Sequence, residues 1–200
     1  MQQFGKPREN PMADLAQILD RLDRLESKDA IRALVSDYAV ACDDHDMPRL
    51  MSLFTADACF DAPNGAMVAN GRDAIEAMFI ETFKTRGPGY HWTHDVNVTI
   101  DPEDADRASA VVCSHAETTP NGVPSLAAMK YRDDYRREDG EWRFSRREIS
   151  FLYYVPTAQY GEALSDEKRV VMAGERHPAD FPEKLPAWQA FDAQHMQEPS

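Results

Sequence analysis

The amino-acid sequence predicts an α+β fold, in which N-terminal helices precede an antiparallel sheet. Near the N-terminus, apolar residues recur at spacings of three and four, as they do along one face of a helix. From residue 90 onward they alternate with polar residues, as they do in a half-buried strand. Helices and strands that follow one another in blocks are typical of α+β proteins. We expect a long curved sheet wrapped around the helices, forming a cone-shaped α+β barrel whose open end is a pocket.

Four helices are predicted in the first ninety residues. The first begins at Ala13 and has an apolar stripe, and Ser27 is a plausible N-cap that separates it from a second helix ending near Cys42. Pro48 suits the first turn of a third helix, 49–54. The fourth follows Gly71 and stops at the Gly-Pro-Gly of residues 87–89. The stripe of the first helix consists of Leu15, Ile18, Leu19, Leu22 and Leu25.

The strands follow from alternation and from turn residues. A short strand covers 58–62 and ends at a Pro-Asn-Gly turn. A meander then begins with a strand that His94 opens and that ends at Ile100, followed by strands over 108–118, 126–137 and 141–155. Asp139-Gly140 is a strong hairpin signal between the last two.

The chain is predicted to hold one domain with two tails. Residues 1–11 are polar and are expected to form a flexible arm. The barrel domain is expected over 12–156. Residues 157–200 form an extension for which we predict two short helices, near 162–173 and 184–195. This extension could cap the pocket or pack on a neighbouring subunit.

Composition excludes several classes of partner. The chain has 200 residues, with 22 basic against 35 acidic ones and a net charge of −13. Such an acidic chain repels phosphate backbones and anionic membrane surfaces, so we expect no nucleic-acid and no membrane partner. The three cysteines, Cys42, Cys59 and Cys113, form no CxxC motif and are expected to be buried and reduced. With no secretory apolar region and no membrane-length apolar run, the expected location is the cytoplasm.

Three segments resemble the SnoaL-like branch of the nuclear transport factor 2-like superfamily. They are SKDAIRALVSDYAVACDDHDMPRLMSLFTADACFD, THDVNVTID and KYRDDYRREDGEWRFSRRE, and the resemblance extends over roughly 22–155. Within that branch the pattern is similar to scytalone dehydratase, bile-acid 7α-dehydratase and hexachlorocyclohexane dehydrochlorinase. The resemblance implies a lyase that needs no cofactor and no metal and that works through an Asp–His pair.

The resemblance also implies roles for four residues. His94 would take a proton from carbon, because an imidazole has a suitable pKa without much tuning. Asp43, at the end of the second helix, would orient His94 and stabilise its charged form. Tyr38 and His115 would polarise a carbonyl or assist the leaving group. Strand alternation places His115 on the same face as Cys113, so His115 faces inward if Cys113 does.

Side chains that would line the pocket are mostly aromatic or sulfur-containing. Either Arg146 or Arg147 must point inward and needs an acid, for which Asp43 is a candidate. We expect a medium-sized apolar substrate of aromatic, polyketide or steroid-like type. The predicted substrate-binding residues are Trp92, Phe54, Phe60, Met129, Arg147, Phe151 and Tyr153.

Other functions fit the same pattern. An isomerase or a carbon–carbon lyase would use the same proton abstraction, and the non-catalytic small subunit of ring-hydroxylating dioxygenases has the same fold. A ligand-binding module with a vestigial site is a further alternative. An iron site built from His94, His115 and Asp43 is disfavoured. Because sheets of this type expose a broad outer face, we expect a homo-oligomer, either a trimer or a dimer.

Overall fold

Helices and strands follow one another in nearly the predicted order in the computed structural model, which describes residues 11–196. The helices occupy the first part of the chain and the long strands the second, which confirms the α+β class. The elements are α1 Pro11–Asp43, α2 Met47–Ser52, β1 Phe54–Asp61, β2 Ala69–Asn70, α3 Arg72–Arg86, β3 Tyr90–Ile100, β4 Arg107–Thr118, β5 Ser125–Glu138, β6 Glu141–Pro156, β7 Val170–Met172, β8 Glu175–His177 and α4 Pro186–His195.

The first helix is continuous where two helices were predicted. Ser27 does not act as an N-cap: it is buried within α1, and its hydroxyl lies 3.4 Å from Nη1 of Arg137 on β5. No Gly or Pro interrupts the segment from residue 13 to residue 43, so nothing in the backbone forces a break there. The long helix therefore carries Asp43 at its C-terminus, directly over one end of the sheet.

The predicted positions of Pro48 and Gly71 at the starts of helices are confirmed. Asp46 caps α2, since its side chain accepts from the backbone N–H of Arg49 at 3.1 Å, and Pro48 lies in the first turn. Phe54, expected to end this helix, instead begins β1. Gly71 precedes α3 with a φ of 86°, which a residue with a Cβ rarely adopts.

The sheet is an antiparallel meander to which β1 and β7 add parallel pairings with β6. Its order is β2-β1-β6-β5-β4-β3, in which β1 runs parallel to β6 and β3 through β6 pair antiparallel. Asp139 and Gly140 have φ angles of 54° and 84°, so they form the predicted hairpin turn. Irregularities in register bend the sheet between Thr93 and Val96 on β3 and at two places between β5 and β6.

The two faces of the sheet have different roles. The inner face, covered by α1 and α3, carries Val112 and Tyr131 together with most of the buried aromatic residues. The outer face is partly covered by the segment that follows β6, where Ala163 packs on Tyr153 and Val155. A separate cluster is thus formed outside the main core.

The C-terminal extension folds differently from the prediction. Residues 157–165 form a 3₁₀ segment, and the β7–β8 hairpin replaces the helix expected over 162–173. Ala173 and Gly174 both have positive φ at its turn. Arg169, 2% exposed, donates to the carbonyls of Leu152 and Phe181 and forms a two-oxygen ion pair with Glu183. The second predicted helix is confirmed as α4.

Several apolar side chains remain exposed on α1. Its five stripe residues, from Leu15 to Leu25, are between 46% and 64% exposed. Apart from Pro11, where α1 begins, the expected N-terminal arm lies outside the described residues. Within residues 11–196, no helix is both long and apolar enough to span a membrane.

Candidate active site

The centre of the site is a hydrogen-bonded pair formed by Asp43 and His91. Nδ1 of His91 lies 2.6 Å from Oδ1 of Asp43, and the backbone N–H of His91 donates to Oδ2 at 2.8 Å. Both side chains are largely buried, with 12% of Asp43 and 8% of His91 exposed. Because a carboxylate only accepts, Nδ1 must carry the proton. Nε2 of the neutral ring is therefore the basic atom.

The predicted pairing of Asp43 with His94 is wrong in this structure. The strand begins at Tyr90, four residues earlier than expected, so His91 already lies on it. His91 is directed towards the end of α1, whereas His94 is exposed at the irregularity between Thr93 and Val96. The expected geometry assumed a regular strand opened by His94, and a bulge of this kind is not visible in the alternation of residues.

His94 and His115 instead contact each other away from Asp43. Nε2 of His94 lies 2.9 Å from Nδ1 of His115, and both side chains are exposed. The buried residues of β4 include Val112, Ser114 and Ala116, which alternate with His115, so the inward face is the one opposite to that of His115. His115 therefore does not join Asp43 in a common site, and its expected inward orientation is wrong.

Arg86 is a third residue of the site, and the sequence did not predict it. It is the last residue of α3, and its Nη2 lies 3.3 Å from Nδ1 and 3.2 Å from Nε2 of His91. The same nitrogen is 3.7 Å from Oδ1 of Asp43, and the arginine side chain is 12% exposed. A basic residue immediately before the Gly-Pro-Gly stop of α3 was the available signal.

A short link between α3 and β3 fixes Arg86 and His91 relative to each other. The backbone N–H of Thr119 donates to the carbonyl of Arg86 at 3.1 Å, and its hydroxyl donates to that of Pro88 at 2.8 Å. Gly87, with a φ of 62°, packs so closely on Thr119 that a Cβ would collide with its hydroxyl. Beside the link lies a cleft of about 290 Å³, lined by Pro88, Gly89, Tyr90, Glu117, Thr118, Thr119, Pro124, Ser125 and Thr157.

The local electrostatics favour a neutral imidazole beside a charged carboxylate. Burial is the largest cause that lowers the pKa of His91; the bond to Asp43 opposes it, and the charges of Arg86 and Arg147 reinforce it. Burial raises the pKa of Asp43, but the hydrogen bonds from His91 and the charge of Arg86 outweigh it, so the net pKa lies below the usual range. At neutral pH the ring can therefore accept a proton.

Tyr38 lies behind the pair, one helical turn before Cys42. It is 5% exposed and makes edge-on contacts with Phe54, Phe79, Tyr131 and Phe144. Burial raises its pKa well above the usual value, and the neighbouring Cys42 and Tyr131 act in the same direction. The phenol therefore stays protonated at neutral pH, and its role in the site stays a prediction.

Arg147 is the inward arginine, but its acid is Asp133 rather than Asp43. Nε of Arg147 lies 3.4 Å from Oδ1 of Asp133, and the two side chains are 1% and 0% exposed. The guanidinium carbon lies 3.9 Å from the ring centre of Tyr38 and 3.8 Å from that of Tyr131. Nε and Nη1 of Arg147 have no hydrogen-bond partner among the described residues. The pairing residue lies opposite Arg147 on β5, which only the sheet register reveals.

The other predicted substrate-binding residues divide between the two faces. Phe54, Phe60, Met129 and Phe151 belong to the main core on the inner face. Trp92 is 43% exposed and stacks near Tyr90 on the outer face, and Tyr153 belongs to the cluster beneath Ala163. Trp92 and Tyr153 therefore do not line the inner face. Alternation therefore predicted the correct face for Met129 on β5. It predicted the wrong face for Trp92 on β3 and for Tyr153 on β6, where register shifts occur.

The cysteines and the metal-ligating side chains are the remaining candidates for chemistry. The cysteines are free; Cys42 is buried as expected, whereas Cys59 and Cys113 are partly exposed. Burial raises the pKa of the Cys42 thiol to about 11, so it is not a ready nucleophile. Over residues 11–196, no three His, Cys, Asp or Glu side chains are arranged to hold a metal ion. His94 and His115 thus lack the carboxylate that an iron site would need from Asp43.

Comparison with known proteins gives a consistent result. A model of the SnoaL-like domain matches residues 23–148. The chain is 29% identical over 148 residues to the gamma-hexachlorocyclohexane dehydrochlorinase of Sphingobium indicum, covering 68% of this chain and 88% of the relative. A second dehydrochlorinase of that organism is 27% identical over 148 residues, covering 68% and 89%.

Solved structures show the same fold. The hexachlorocyclohexane dehydrochlorinase of Novosphingobium barchaimii superimposes with a TM-score of 0.63 at 24% identity, over 69% of this chain and 94% of that one. A scytalone dehydratase-like protein of Novosphingobium aromaticivorans gives 0.60 at 23% identity, over 67% and 89%. The domain match covers more than half of the chain, and the helices and curved sheet agree with it. The chain belongs to the SnoaL-like family of the nuclear transport factor 2-like superfamily.

Proposed function

We propose that the protein is a cofactor-independent lyase in which His91 abstracts a proton from carbon. The observation that carries this proposal is the buried Asp43–His91 pair. A carboxylate that binds both Nδ1 and the backbone N–H of one histidine fixes the ring and its tautomer and stabilises the imidazolium formed on proton uptake. The dehydrochlorinase relatives favour elimination of a small leaving group as the outcome.

The steps follow from the positions of these groups. Nε2 of His91 takes a proton from a substrate carbon, and the carbon–hydrogen electron pair forms a double bond as the leaving group departs from the neighbouring carbon. Asp43 stabilises the resulting imidazolium. Tyr38, protonated and behind the pair, assists the leaving group. Water is the leaving group we expect, and the imidazolium can return its proton to a departing hydroxide.

The substrate we propose is of medium size and largely apolar, of aromatic, polyketide or steroid-like type. The apolar core residues Phe54, Phe60, Met129 and Phe151 support this, since they supply apolar surface on the inner face. An isomerase would use the same base and return the proton to another carbon. A purely non-catalytic subunit would not require a histidine held in one tautomer with its second nitrogen left basic, which is what the Asp43–His91 pair provides.

The test compares two histidines of one strand. Gamma-hexachlorocyclohexane is assayed for chloride release, and hydroxylated aromatics, polyketide intermediates and steroid-like alcohols are assayed for loss of water. On whichever compound is turned over, His91→Gln should lower kcat by about 10²–10⁴. His94→Gln is the matched control and should change kcat by less than about threefold. If His94→Gln lowers kcat strongly and His91→Gln does not, His94 is the base and the assignment to His91 is wrong.

We also propose that copies of the chain associate through exposed apolar side chains. Two regions support this: the stripe on α1, and the outer face of the sheet, where Tyr90, Trp92 and Val111 are 56%, 43% and 44% exposed. Light scattering that gave the monomer mass of 22.6 kDa at micromolar concentration would contradict the proposal. If the stripe is the contact, Leu22→Glu should lower the mass without loss of helix content.

A further inference from the structure

Arg86 is a largely buried cation with incomplete compensation. Among the described residues, the one carboxylate within 4 Å of its guanidinium is Asp43, at 3.7 Å. That carboxylate already accepts two hydrogen bonds from His91. A guanidinium removed from water is stabilised well only when carboxylate-like oxygens face it directly. Arg86 therefore has capacity for another anionic oxygen.

The position of Arg86 places this capacity beside the base. Nη2 lies 3.2 Å from Nε2 of His91, which is the atom left with a lone pair once Nδ1 donates to Asp43. Because Nη2 is almost equally far from both ring nitrogens, at 3.3 Å and 3.2 Å, it lies over the face of the imidazole and leaves the in-plane lone pair of Nε2 to a substrate carbon. The guanidinium can then reach an anionic oxygen attached next to that carbon.

The interaction between Arg86 and the substrate is strongest after proton transfer, as the charges of the groups show. Before proton transfer, Arg86 and Asp43 carry opposite charges and His91 is neutral, so this trio has no net charge. After His91 takes the proton, the trio carries one positive charge, while the substrate carries one negative charge. An interaction that strengthens only after proton transfer stabilises the transition state rather than the bound substrate.

We propose that Arg86 is the oxyanion-binding residue of the site, an inference that rests on the proposed lyase function. The substrate then carries a carbonyl oxygen next to the carbon that loses its proton. The carbon–hydrogen pair moves into the carbonyl to give an enolate oxygen held by Arg86. The enolate then reforms the carbonyl and expels a hydroxyl from the β-carbon. That hydroxyl takes the proton from His91 and leaves as water, so an α,β-unsaturated carbonyl compound and water are the products.

The test measures binding and needs no turnover, so its outcome is separate from that of the lyase assay. 2-Naphthoate serves as an oxyanion probe, and 2-naphthamide as its neutral counterpart of the same shape. The unaltered protein should bind naphthoate more tightly than naphthamide. Arg86→Met should weaken naphthoate binding by about tenfold or more, as expected for a hydrogen bond to a charged group, and leave naphthamide binding within about threefold.

Three further variants make the outcome decisive. Arg86→Lys keeps the charge and should recover part of the naphthoate affinity, and it also replaces Arg86→Met if that variant does not fold. Arg107→Met removes an exposed arginine that pairs with Asp104 at the start of β4, and should change neither affinity. His91→Gln should preserve the preference for naphthoate, since Arg86 remains.

Several results would overturn the proposal. They are equal binding of the two probes by the unaltered protein, no saturable naphthoate binding up to about 10 mM, and an Arg86→Met variant that loses both probes equally. A preference for naphthoate that depends on His91 and not on Arg86 would assign the oxyanion to the imidazolium instead.

Discussion

Replacing Arg147 with Met tests whether the ion pair inside the cone supports the fold. Arg147 and Asp133 are 1% and 0% exposed, and Nε of the arginine lies 3.4 Å from Oδ1 of the aspartate. Removing one partner of a buried pair typically costs about 3–5 kcal/mol, because the other charge is left without compensation. The contacts of the guanidinium with Tyr38 and Tyr131 are lost as well. Both effects destabilise the variant.

The penalty should depend on pH. Burial raises the pKa of Asp133 to about 6, and Arg147 opposes that rise, so the pKa should be higher still in the variant. A carboxyl whose pKa is higher in the folded protein than in the unfolded chain binds more protons when folded. Its unfavourable contribution is present above the folded pKa and is relieved as the pH falls towards the unfolded value of 3.8.

Urea unfolding at pH 8 and pH 5 measures both effects. At pH 8 the variant should lose about 3–5 kcal/mol, which corresponds to roughly 6–20 °C in Tm for a chain of this size. At pH 5 the loss should be clearly smaller. Arg146→Met is the matched control, since the neighbouring arginine is 36% exposed and pairs with Glu148 and Asp61, where such pairs contribute below about 1 kcal/mol. Equal losses for the two variants, or a loss that is the same at both pH values, would refute the reasoning.

Three other perturbations have expected outcomes. Because burial lowers the pKa of His91 below its ordinary 6.5, kcat/KM should rise with pH through a pKa under that value and stay level above it; a midpoint above 7 in the pH profile would contradict the assignment. Asp46→Ala removes the cap of α2 and should cost about 1 kcal/mol in urea unfolding, and an unchanged midpoint would argue against the cap. Gly87→Ala should destabilise the protein and weaken catalysis, because its Cβ would collide with Thr119 and its φ is 62°; normal stability with normal kcat would show that the link tolerates both.

The sequence predicted elements better than it predicted orientations. Asp139-Gly140 and Pro48 act through their own backbone geometry, so their local context was sufficient. The fold order and the role of Asp43 as a partner of a histidine were also accessible from pattern and resemblance. The choice between His91 and His94 was not, because it depends on a strand start and a register irregularity.

The face of the sheet on which a side chain lies was also not predictable from the sequence. Alternation places residues on one face or the other but does not say which face is covered, and β4 took the phase opposite to the expected one. The partner of Arg147 depends on which residue of β5 lies across from it. Such pairings arise only when distant segments come together, so they leave no local trace in the sequence.

The link from α3 to β3 has a consequence for how this active site can change over time. Arg86 and His91 are five positions apart on one segment, which Thr119 holds at both Arg86 and Pro88, while Asp43 belongs to a separate helix. A deletion of one residue between them would shift the strand by one position and turn the imidazole to the opposite face of the sheet, away from α1. Substitutions at Arg86 or His91 within these six consecutive residues can therefore silence the site or change its proton-transfer chemistry, whereas Gly87 between them must be kept for the link to fold.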